Sequence, residues 1–167
     1  CVIGPECTGK TTLSENLAQE LGTVWVPEYA RGYLSKLNHP YGQPDLLKIA
    51  HGQLRMEDEW SSEAKKVLVC DTNLLVIRVW SEHKFGNCDS EIIRRHEERK
   101  YHLYLLTDID VPWEEDPQRE HPQLREHFRK LYTGLIESSG VPFAHIRGSL
   151  QQRLNAAMEA VRVLAAS

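Results

Sequence analysis

Apolar residues recur in two rhythms along this chain. Short unbroken runs, Cys1-Val2-Ile3, Thr23-Val24-Trp25-Val26, Val67-Leu68-Val69-Cys70, Tyr101 to Leu106 and Phe143 to Ile146, have the pattern of strands buried on both faces. Between them the apolar positions fall at helical spacing. Leu13, Leu17, Ala18 and Leu21 mark a helix from Lys10 to Leu21, and Leu150, Leu154, Ala157, Met158, Val161 and Leu164 mark one from Leu150 to Ala166. Further helices are expected over Tyr29 to Leu37, over a long stretch N-capped by Asp45, and over Leu74 to Glu82, Asp89 to Lys100 and Gln123 to Ser139. The stretch 107–122 has no hydrophobic period and contains Pro112, Pro117 and Pro122, a composition suited to a mobile lid. Strands alternating with helices predict a three-layer α/β fold: a parallel five-stranded sheet with right-handed crossovers and helices on both faces. The whole chain, 1–167, reads as a single domain.

At the first strand-to-helix junction stands Gly4-Pro5-Glu6-Cys7-Thr8-Gly9-Lys10-Thr11, which satisfies G-x-x-x-x-G-K-[ST] at every fixed position. Such a Walker A loop turns backbone N–H groups toward a phosphate, and the following helix adds a favourable dipole. Lys10 is predicted to reach the β- and γ-phosphates, Thr11 to place its hydroxyl on Mg²⁺, and Thr12 to sit near the α-phosphate. Parallel sheets of this kind bind ligands at the carboxyl ends of their strands. That rule gathers Glu28, Asp71 and the lid around the loop.

Composition narrows the partners. A net charge of -4 with no segregated basic run lacks the footprint of a nucleic-acid binder. No apolar run approaches the ~20 residues of a membrane span. Cys1, Cys7, Cys70 and Cys88 form neither C-x-x-C pairs nor zinc-ligand spacings, so they read as reduced thiols of a cytoplasmic protein. The chain opens without Met inside its first strand, and an upstream segment is expected.

Phosphoryl transfer needs a carboxylate at Mg²⁺ and commonly another at the attacking hydroxyl. Asp71, closing an apolar strand as a Walker B acid does, is assigned to the metal; Glu28 is left as base or substrate-hydroxyl partner, and the two roles are exchangeable. Each could instead merely cap a helix. Arg119 in the lid is the residue best placed to neutralise charge on the transferring group, with Arg125 as second candidate. Arg31 could face the phosphates or pair with Glu28. Tyr29, Trp80 and Trp113 could stack on a planar ring or belong to the core.

With these residues in view, the chain resembles the ribosylnicotinamide kinase domain of the bacterial bifunctional NAD-biosynthesis regulators, a family placed among small AAA-like P-loop ATPases. The matching segments are the Walker A loop, Val26-Pro27-Glu28-Tyr29-Ala30-Arg31, Asp71-Thr72-Asn73, Val79-Trp80-Ser81-Glu82 with Phe85-Gly86, and Asp110 through Arg119. Two departures stand out. The family's D-T-D is Asp71-Thr72-Asn73, and its D-G-x-R is Asp116-Pro117-Gln118-Arg119. The resemblance implies a P-loop kinase fold, ATP and Mg²⁺ as cofactors, and phosphorylation of the 5′-hydroxyl of nicotinamide riboside to the mononucleotide. The residues alone leave open another nucleoside as acceptor, or an ATPase or nucleotide-dependent switch acting on a protein.

Overall fold

A computed structural model describes residues 1–166, so the final residue of the expected 1–167 domain lies outside the described part. The elements follow in the order β1 (Val2–Ile3), α1 (Lys10–Leu21), β2 (Trp25–Val26), α2 (Tyr29–Leu34), α3 (Gln43–Ser61), β3 (Val69–Cys70), α4 (Leu74–Phe85), α5 (Ser90–Glu98), β4 (Tyr104–Thr107), α6 (Arg125–Ser139), β5 (Phe143–Ile146) and α7 (Leu150–Ala166). A short 3-10 turn, Pro122–Leu124, leads into α6.

Every strand pair is parallel, as the alternation requires. The five strands do not form one continuous sheet, however. They make a three-stranded sheet in the order β1-β4-β5 and a two-stranded sheet of β2 and β3. A single parallel bridge between Val2 and Asp71 spans the two, supported by a hydrogen bond from Thr72 N to Val2 O at 2.9 Å. The ladder stops there for a local reason. β1 runs for two residues before the phosphate loop, and Thr72 has φ 68°, which turns the chain away directly after Asp71.

The strand alternation sends neighbouring residues into separate cores. Val2 and Leu105 pack with Leu13, Leu17, Leu154 and Ala157 of α1 and α7. Ile3 and Leu106 pack on the other face with Val76, Phe128, Tyr132 and Ile136 of α4 and α6. Ile3 and Leu106 are wholly buried, and truncating either to Ala is expected to cost roughly 2–5 kcal/mol. A third cluster, with Ala30, Leu46, Ile49, Leu74, Ile77 and Ile92, joins α2, α3, α4 and α5 and holds the wall of the site in place.

Asp45 is not an N-cap. It is the third residue of α3, and its Oδ2 reaches back to accept from Gly42 N at 3.0 Å. Pro44 fixes φ near the helical value, so the helix can begin at Gln43. Among the described residues no helix is long and apolar enough to cross a membrane.

Candidate active site

The phosphate loop is built by its own side chains. Thr8 Oγ1 donates to Pro5 O at 2.8 Å and lies 2.7 Å from Thr107 Oγ1 at the end of β4. Gly4, at φ 151°, passes so close to Thr107 that an added Cβ would lie 2.3 Å from its hydroxyl oxygen. Only glycine fits. Cys7 takes φ 53°, and Gly9, at φ 76°, opens α1. Lys10 Nζ folds over the loop and donates to Pro5 O at 2.9 Å.

The strand ends deliver both predicted carboxylates to this loop. Thr11 Oγ1 donates to Asp71 Oδ2 at 2.6 Å, while Asp71 Oδ1 is buried with no hydrogen-bond partner. A hydroxyl beside a carboxylate that retains a free oxygen fits the oxygen-ligand chemistry of Mg²⁺, which Thr11 and Asp71 would hold directly or through water. Glu28 occupies the N-cap position of α2, yet its side chain makes no cap hydrogen bond. Capping therefore explains neither acid: Asn73 caps α4, accepting from Leu75 N at 3.1 Å. Burial raises the carboxyl pKa of Glu28 and of Asp71; the Lys10 charge opposes the rise in both.

A cavity of about 250 Å³ joins the loop to Glu28, Arg31, Trp80, Gln118 and Arg119. Trp80 also lines an adjoining cavity of about 170 Å³, with Tyr41 and His83. Glu28 and Tyr29 line a third, of about 900 Å³, along α2. Arg31 pairs with the lid, not with Glu28. Its NH2 group lies 2.5 Å from Asp116 Oδ2, and Gln118 Nε2 donates to Arg31 O at 3.2 Å. Pro117 thus sits within a turn pinned at both flanks, where the family's glycine would leave a looser chain. Arg119 lines the loop cavity and has one guanidinium donor on Glu114 O, within the lid.

A family model described as AAA domain matches residues 1–153. The chain belongs to that family. The trifunctional NAD biosynthesis/regulator protein NadR of Salmonella typhimurium is 25% identical over 154 residues, an alignment covering 87% of this chain and 37% of that protein. The chain therefore spans well under half the length of this curated relative. Among solved structures, a NadR protein in complex with NR superposes with a TM-score of 0.78 at 21% identity, covering 99% of this chain and 51% of that one. A deoxyadenosine kinase from M. mycoides with bound dCTP gives 0.59 at 13% identity, with 98% of each chain covered. At these identities the superpositions speak for the fold, an α/β P-loop kinase-like arrangement.

Within this AAA-domain frame the remaining sequence-predicted residues separate. Glu6 accepts from His121 N at 3.1 Å and so ties the loop to the lid. Arg125 lines none of the three cavities; its NH2 group donates to Cys7 O at 3.0 Å and Val111 O at 2.9 Å. Trp113 lines none of them either, with its ring 6.0 Å from the Arg125 guanidinium and its Nε1 donating to Glu115. Tyr29 packs on Gly52, where an added Cβ would lie 2.2 Å from the ring. Trp80 is thus the predicted aromatic that faces the loop cavity. Asn73, the departure from D-T-D, is fully buried and donates to Tyr104 Oη at 3.1 Å, a contact within the core. Sequence reasoning missed Arg153. It is 3% exposed on α7 and donates to Thr8 O at 2.8 Å. The available signal was an arginine immediately before Leu154, on the buried side of an amphipathic helix.

Proposed function

We propose that this domain is a nucleoside kinase that transfers the γ-phosphoryl group of ATP to the 5′-hydroxyl of nicotinamide riboside. The observation that carries the reading is the joint placement of the Walker A loop, Glu28, Arg119 and Trp80 around one cavity, with Asp71 hydrogen-bonded to Thr11 at its wall. The likeness to NadR, including a NadR structure with NR bound, supports the acceptor.

In this reading the loop N–H groups and Lys10 bind the β- and γ-phosphates, and Mg²⁺, when bound, supplies charge neutralisation there. Glu28 takes the proton of the 5′-hydroxyl as the acceptor oxygen forms its bond to γ-phosphorus and the bond to the β,γ-bridging oxygen breaks, releasing ADP. Its burial-raised pKa brings it nearer the working pH, which suits a general base. Arg119 faces the charge spread over the transferring group. The nicotinamide ring is cationic, and the Trp80 face with the Glu28 charge favours it over neutral bases, at roughly 0.5–2 kcal/mol for the aromatic contact.

The test offers Mg·ATP with nicotinamide riboside, nicotinic acid riboside, uridine, cytidine, adenosine or no acceptor, following ADP and the 5′-phosphorylated product together. Preferential transfer to nicotinamide riboside, lost in Lys10→Ala, is the expected result. ADP release indifferent to every nucleoside overturns it in favour of an ATPase or switch.

A further inference from the structure

Two consecutive carbonyls of the phosphate loop, Cys7 O and Thr8 O, each accept a hydrogen bond from an arginine of a different helix, Arg125 of α6 and Arg153 of α7. In a trans peptide the carbonyl and the next residue's N–H point in opposite directions. An arginine holding Cys7 O outward therefore holds Thr8 N–H inward, and one holding Thr8 O outward holds Gly9 N–H inward. Those are the N–H groups that a Walker A loop offers to phosphate.

Arg153 is the better anchored of the two. Its Nε donates to Gly148 O at 2.9 Å, its NH2 to Asp108 O at 3.3 Å, and the same NH2 forms an ion pair with Asp110. Asp110 also accepts from Gly148 N at 2.5 Å, so the carboxylate, the β5–α7 turn and the guanidinium form a closed ring of contacts. The guanidinium reaches the loop at Gly9 too, 4.0 Å from where a Cβ would stand. A buried arginine with all three nitrogens engaged has little freedom to follow a loop that moves. Asp108 and Asp110 open the lid segment, so one side chain joins the lid's base to the loop's backbone.

We propose that Arg153 is a positioning residue for nucleotide binding: it preorganises the phosphate loop from behind by holding Thr8 O, with Asp110 as its anchor. It touches no phosphate itself. The proposal rests on reading the loop as the ATP site. Because the nucleotide can still pull a slack loop into shape at the expense of binding energy, the loss falls on affinity rather than on the bound complex's turnover.

The experiment measures the dissociation constant for Mg·AMP-PNP, the KM values for ATP and nucleoside, kcat and Tm in the parent, Arg153→Met, Arg153→Lys, Asp110→Asn and the Asp110→Asn/Arg153→Met double variant, all well below the lowest Tm. Arg153→Met is expected to weaken nucleotide binding about tenfold with kcat within about threefold and the nucleoside KM within about twofold. Arg153→Lys keeps a donor and falls between. Asp110→Asn weakens binding about threefold, and the double variant matches Arg153→Met alone, since both act through one contact. A lower Tm with nucleotide affinity within twofold of the parent marks Arg153 as merely structural and overturns the proposal. Should Arg153→Met fail to fold, Asp110→Asn decides, and unchanged affinity there overturns it equally. A parent that binds no nucleotide overturns the reading of the loop and this proposal together; parental binding with unaltered variants overturns this proposal alone.

Discussion

Asp71 and Glu57 are both about 1% exposed, and burial raises the carboxyl pKa of each, yet their surroundings differ. Glu57 accepts from Tyr101 Oη at 2.9 and 3.0 Å, from Arg99 Nε at 3.0 Å and from Gln53 Nε2 at 3.4 Å. Gln53 in turn accepts from Tyr29 N at 2.9 Å, so the network supports the first residue of α2 from behind. Asp71 has Thr11 on one oxygen and nothing on the other. A buried polar atom left unpaired costs on the order of 1–3 kcal/mol, and a fold that only needed rigidity would have closed the gap as it did around Glu57. On the proposed reading, the difference separates a carboxylate serving stability from one kept ready for a ligand.

The largest expected effect breaks that comparison at Asp71. Asp71→Asn keeps the size and an acceptor for Thr11 but halves the metal-binding capacity, so kcat/KM is expected to fall on the order of 10² to 10³, with partial recovery at excess Mg²⁺. Stability should move the other way. The folded-state pKa of Asp71 lies above its ordinary value of 3.8, so the native state holds this proton more tightly than the unfolded chain. Its contribution to stability is therefore full below that value and is lost as pH rises through the folded-state pKa. The Tm of Asp71→Asn relative to the parent is expected to climb across that window, read by thermal scans without nucleotide; a relative Tm that falls instead would place a cation partner at Asp71.

Glu57 should give the mirror image. Glu57→Ala strands the donors of Tyr101, Arg99 and Gln53, costing about 2–4 kcal/mol and lowering Tm by about 5–15 °C. Turnover per folded molecule, measured well below Tm, should stay within about threefold. A loss as deep as that of Asp71→Asn would make the Glu57 network part of the catalytic apparatus.

Arg119 sharpens the functional side. Arg119 lines the loop cavity from the lid, so Arg119→Ala is expected to lower kcat on the order of 10²-fold while raising the KM for ATP much less. An effect below about threefold would return it to the surface.

How far the sequence reached depends on the range of the signal. The phosphate loop, the helix opened by Lys10 and the two strand-end acids were legible because each is a local pattern: fixed glycines, an apolar run, a residue just after it. The break between the two sheets was not, since it depends on the left-handed Thr72 and on how few residues β1 lends to pairing. The same limit explains the arginines. Arg119 and Arg125 lie six residues apart, one in the lid and one opening α6, and only tertiary packing places one on the cavity and the other on the carbonyls of Cys7 and Val111. Arg153, distant from every motif, was visible only as a charge on an apolar helix face. Trp80 and Trp113 were equivalent as aromatic letters, and only the folded chain places the first on the wall of the loop cavity.

The smallest expected effect tests the other end of the lid, where Arg31 meets Asp116. Gln118 N and the Arg31 charge hold the Asp116 carboxyl below its ordinary range, so the pair stays charged through neutral pH. It is nonetheless half open to water, with the arginine side chain 46% exposed, and such pairs contribute only about 0.2–1 kcal/mol. If its role is to pin the lid turn against α2, Arg31→Ala and Asp116→Asn should each raise the KM for ATP about two- to threefold. Salt should erase the difference, because a Debye length of about 3 Å at 1 M salt screens an exposed pair. Arg31 also lines the loop cavity, which supplies the contrary outcome. A tenfold or greater loss of kcat in Arg31→Ala, insensitive to salt and absent from Asp116→Asn, would show the guanidinium leaving the lid to meet the transferring phosphoryl group, and would place Arg31 beside Arg119 in the chemistry.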